Sequence, residues 1–149
     1  MVLYTIPYMG FKIVIDTNII LSGLKSKKGA SYKLLQNIDN KKIDLFVSVP
    51  LILEYEKVLK DNLNKRIITN KDIDDLVDYI CKMSNHTKIN FLWRPYLKDP
   101  NDDMILELAF NSNSKYIVTF NEKDFYGCDK FGIDIIFPQI LLKKIGVIK

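Results

Sequence analysis

At 149 residues, with 48% hydrophobic and 27% charged side chains, the chain has the length of one compact domain and too much apolar content for a disordered segment. One histidine, His86, and two cysteines, Cys81 and Cys128, are too few for a Cys/His zinc site and exclude a two-histidine ribonuclease mechanism. The net charge of +4 is spread over lysines along the chain, a mild attraction toward polyanions such as RNA or DNA.

Residues 1–10 hold no Lys or Arg and include Pro7, which is not a signal-peptide pattern. No apolar run approaches the ~18 residues of a membrane span, so a cytoplasmic protein away from membranes is expected. These ten residues form an N-terminal extension of unknown role before a domain over 11–149. Phe11–Ile15 (FKIVI) is apolar, ends in β-branched residues and stops at Asp16, the pattern of a buried parallel strand. Ala30, Leu34, Leu35 and Ile38 recur at helical spacing. Over 42–49, Ile43, Leu45, Val47 and Val49 alternate and predict a second strand. Pro50 stands where a helix can begin, with Leu51, Ile52, Tyr55, Val58, Leu59 and Leu63 on its buried face. Asn70 is placed to cap a helix striped by Ile73, Leu76, Val77, Ile80 and Cys81. A strand is expected within 86–93, around Lys88, Ile89 and Phe91. A helix opens at 99–103 and runs on through Met104, Ile105, Leu108 and Ala109. Strands at 116–119 and 133–137 and a helix over 138–145 close the chain. The alternation predicts an α/β fold, a mostly parallel sheet covered on both faces. Without a C-x-x-C spacing, the cysteines read as reduced thiols.

Ligands of such sheets gather at the carboxyl ends of the strands. Asp16 is the first polar residue after FKIVI, followed by Thr17 and Asn18, although these three could simply end the strand and cap the next element. Glu54 falls beside the stripe of Leu51, Tyr55 and Val58, where a carboxylate needs a cation or hydrogen bonds unless it reaches solvent. Asp99, Asp102 and Asp103 make the densest acidic cluster. Asp99 can be an N-cap, Pro100 the first helical residue and Asp102 the N3 partner of a capping arrangement. Asp103 is not needed for that, and it keeps step with Leu106 and Phe110, so it can point inward. After the strand at 116–119, which ends in Thr119, Asn121 and Asp124 stand at another carboxyl end. Four acids around one sheet edge suit Mg²⁺ or Mn²⁺, which prefer oxygen ligands, and two such ions about 4 Å apart can activate water against a phosphodiester.

The stretches KIVIDTNIILSGL (12–24), VSVPLILEYEKVL (47–59), KDPNDDMILELA (98–109) and IVTFNEKDF (117–125) together resemble the PIN-domain family, including its VapC-type toxins. The resemblance implies a three-layer α/β/α fold and metal-dependent cleavage of single-stranded RNA. It places metal-binding and catalytic acids at Asp16, Glu54 and Asp103, with Asp124 or Asn121 as the fourth, and Thr17, Asn18, Thr119 and Asn121 beside the substrate. It also implies a cognate antitoxin and a homodimer. Two alternatives stand against it: a PIN-like scaffold that binds RNA or protein without cutting, and a haloacid-dehalogenase-like phosphatase. The phosphatase needs a second acid where this chain has Asn18. No glycine-rich nucleotide loop is present.

Overall fold

Ile13, Val14 and Ile15 are at most 1% exposed, and a strand sealed on both faces belongs at the centre of a sheet. The computed structural model, which describes residues 10–89 and 97–149, puts it there. Strand β1 (Phe11–Ile15) lies between β2 (Ile43–Val47) and β4 (Tyr116–Val118). The edges are β3 (Asn85–His86) and β5 (Asp134–Ile136), giving the order β3-β2-β1-β4-β5 with every described pairing parallel. Gly10 is required where the chain enters β1, because a Cβ there would sit 2.5 Å from the Lys42 carbonyl carbon.

The connections carry α1 (Thr17–Lys25), α2 (Ala30–Gln36), α3 (Val49–Asn62), α4 (Asn70–Met83), α5 (Pro100–Asn111) and α6 (Pro138–Lys144). Helix α5 lies against β1, β2 and β4; α1 packs on α2 and α3, α2 on α6, and α3 on α4. The result is the expected three-layer α/β/α arrangement. Both cysteines are free thiols, Cys128 buried and Cys81 partly so. Among the described residues no helix is long and apolar enough to cross a membrane.

Several boundaries differ from the sequence expectation, each for a local reason. The second strand stops at Val47 because Ser48 caps α3, its Oγ accepting the Leu51 N–H at 3.4 Å. Thr69, not Asn70, caps α4: Thr69 and Asp72 exchange side-chain-to-backbone hydrogen bonds at 3.1 and 2.9 Å, a capping box. Residues 87–89 carry no strand, and the rest of the expected strand, including Phe91, lies outside the described residues. Two short 3₁₀ turns, Glu122–Phe125 and Cys128–Phe131, occupy what reads as plain loop.

Candidate active site

From β1 the chain winds to β2 on one side, and later elements fill β4 and β5 on the other. This reversal of strand order opens a crevice at the carboxyl ends of β1 and β4. Asp16 and Thr119 are the residues that follow those two strands. The Asp16 N–H donates to the Val118 carbonyl at 2.9 Å, which continues the ladder one step and holds the two side chains together. Thr119 Oγ1 then donates to Asp16 Oδ2 at 2.7 Å and accepts the Asn121 N–H at 3.0 Å. The Tyr55 hydroxyl, wholly buried, donates to the Ile15 carbonyl and so ties α3, which carries Glu54, to the end of β1.

A cleft of about 230 Å³ opens above this framework, and Asp16, Glu54, Asp99, Asp102 and Asp124 all line it, with Thr17, Asn18 and Asn121. Glu54 is half-buried and shares its wall with Val58, one turn on. Asp103 does not line the cleft. It is 1% exposed and its Oδ1 accepts the Leu97 N–H at 2.6 Å. Of the two neighbouring aspartates it is therefore Asp102 that the structure brings to the cleft lining, with Asp103 buried behind it. Asp99 caps α5 alone, accepting the Asn101 N–H at 2.9 Å, which leaves Asp102 free to face the cleft beside Ile105. Keeping step with Leu106 carries Asp103 too far inward, onto the backbone that leads into the helix. Thr119 is fully buried, does not line the cleft, and is bonded to the Asp16 carboxylate.

The electrostatics follow from crowding. Burial raises the Asp16 carboxyl above the usual range and the charge on Asp124 pushes the same way, against the Thr119 hydroxyl and the amides of Thr17 and Asn18. Asp16 stands at the N-cap of α1, yet its carboxylate makes no side-chain capping bond. Asp102 is pushed up to about 7, first by burial and then by the charges on Asp16, Asp124, Asp99 and Asp103. Like carboxylates at this density repel unless a cation lies between them. Among the described residues no three His, Cys, Asp or Glu side chains are gathered into a finished coordination cluster. The donor set still fits a hard divalent cation: it is all oxygen, and it includes Asn18 Oδ1, a buried acceptor with no partner among the described residues. A larger cavity, about 710 Å³, runs along β5, but none of the acids expected from the sequence lines it.

Three of the residues that build the site carry little sequence signal. Asp102 sits on the flank of its helix stripe, as Glu54 does on its own, and that shared placement was the available clue. Thr119 and Tyr55 act through single hydrogen bonds that span 103 and 40 positions, which no local pattern encodes. A family model described as PIN domain matches residues 12–123. No curated protein matches the chain.

Proposed function

The chain belongs to the PIN-domain family, and from that membership we propose that it is a metal-dependent endoribonuclease for single-stranded RNA, the toxin of a toxin–antitoxin pair. PIN domains are nucleases in general, so the hydrolase class follows from the family. The observation that supports the finer reading is the convergence of Asp16, Glu54, Asp102 and Asp124 on one cleft at the strand ends. These four would hold the Mg²⁺ or Mn²⁺, with Asn18 Oδ1 as a neutral oxygen beside them. A bound ion of this kind would lower the pKa of a water and neutralise charge on the phosphodiester.

The chain's own contribution is placement. Thr119 fixes the rotation of the Asp16 carboxylate, and Tyr55 holds β1 and α3 in register. Helix α5 brings Asp102 to the same cleft. Thr17 and Asn121 line the wall where a strand would pass. His86 takes no part: it is exposed on β3, a ring nitrogen 2.9 Å from the Cys81 carbonyl, and lies outside the cleft. With no imidazole there to take a proton from a ribose 2′-hydroxyl, attack by water is the favoured course, leaving a 5′-phosphate and a 3′-hydroxyl. End-group analysis of RNA fragments made with Mn²⁺ tests this; cyclic phosphate ends would overturn it.

The toxin role needs an inhibitor that covers the acidic cleft, and a homodimer is proposed by family analogy alone. Co-expression with a small protein encoded beside this gene tests the first. A complex with full cleavage activity contradicts it. Light scattering tests the second, and a monomer at micromolar concentration removes it.

A further inference from the structure

Beside the carboxylate cleft lies a second cavity, about 340 Å³, with which it shares Asp99, Asp102 and Asp124. Among the described residues its other walls differ in kind: Leu97, Lys98, Lys123 and Tyr126. Lys98 precedes the α5 cap, and Lys123 belongs to the turn Glu122–Phe125, so the two ammonium groups ride on the segments that supply Asp99 and Asp124. Among the described residues neither lysine forms an ion pair. Tyr126 ends the same turn and is 89% exposed, the most exposed large apolar side chain described. A lone exposed tyrosine is ordinary. One that walls a cavity with two unpaired lysines, next to a crowd of carboxylates, is a different matter.

A polyanion approaching those carboxylates is repelled unless cations stand close by. Two lysines in the adjoining cavity supply that attraction, and an exposed ring supplies a face on which any base can stack. We infer that this cavity is a nucleotide subsite, holding the nucleotide next to the cleaved bond with its phosphate on Lys98 and Lys123 and its base on Tyr126. Its placement relative to the cleaved bond rests on the nuclease reading above. Stacking reads no hydrogen-bond pattern, so the subsite favours single strands over duplexes and accepts all four bases.

Fluorescence anisotropy on the full chain tests it, using a short labelled single-stranded RNA in EDTA so that binding is read without cleavage. Tyr126→Ala is expected to weaken binding about 5- to 150-fold, and Tyr126→Phe to retain it. An oligonucleotide without bases should bind Tyr126→Ala and the unaltered protein alike. Lys98→Gln with Lys123→Gln should flatten the slope of log affinity against log salt by about 1.4, two single-strand phosphate contacts. All three positions can be checked for folding by their melting curves. Unaltered affinity and salt slope in the variants overturn the subsite, as does failure of the unaltered protein to bind RNA. Binding with the expected losses but no cleavage in Mn²⁺ leaves the subsite standing and overturns the nuclease reading instead.

Discussion

Replacing Asp102 by asparagine keeps the shape of the side chain and removes one charge from the crowded cleft. In the folded protein burial and the charges of Asp16, Asp124, Asp99 and Asp103 push this carboxyl from 3.8 up to about 7. The folded state therefore binds the proton more tightly than the unfolded chain, and stability falls as pH rises from about 4 through about 7. A shift of about three units corresponds to about 4 kcal/mol at ~1.36 kcal/mol per unit, an upper limit. Water on the open side of the cleft screens the charges and leaves about 1–2 kcal/mol. For a domain of this size Asp102→Asn should then melt about 2–8 °C higher than the unaltered protein at pH 8 in EDTA. Near pH 4 the two should melt close together, since folded Asp102 is protonated there and the carboxyl of the unfolded chain is only about half ionised. Added Mn²⁺ should reverse the order at pH 8, because the ion stabilises the protein that keeps the carboxylate. A variant that melts lower at pH 8 in EDTA, or gains equally at both pH values, would refute the claim that repulsion in the cleft sets this stability.

Thr119→Val preserves volume but removes the hydrogen bond to Asp16 Oδ2. Loss of such a partner should weaken Mn²⁺ binding about 10- to 100-fold in titration calorimetry, with an unchanged circular dichroism spectrum. Asp103→Ala should act on stability rather than on metal: the Leu97 N–H loses its acceptor, a cost of about 1–3 kcal/mol in urea unfolding. An Asp103→Ala protein with normal stability and no Mn²⁺ response would restore Asp103 to the site in place of Asp102.

How much of this was legible in the sequence depends on how local each cause is. FKIVI announces β1, and the spacing of Leu51, Tyr55 and Leu59 announces α3, because burial on one side leaves a period in the chain. Helix α1 left no such mark. Ile19, Ile20 and Leu21 run together, and Gly23 stands in its interior, a position that reads as a break. That glycine is there for packing, since a Cβ would meet the Leu35 side chain of α2 at 2.6 Å. Asp16, Glu54 and Asp124 could be named because each stands at a strand end or beside a stripe. That Asp102 rather than Asp103 lines the cleft turns on one N–H, that of Leu97, which periodicity alone does not record.

RNA cleavage by the gathered carboxylates depends most on Asp16, buried at the end of β1 and held by Thr119. The direct measurement incubates purified protein with single-stranded RNA and Mn²⁺, beside Asp16→Asn prepared identically and a sample in EDTA. The unaltered chain should cleave, the variant should lose on the order of 10²-fold or more, and the EDTA sample should show no cleavage. Equal cleavage by protein and variant, or no cleavage of any RNA by a folded, Mn²⁺-bound protein, would contradict this.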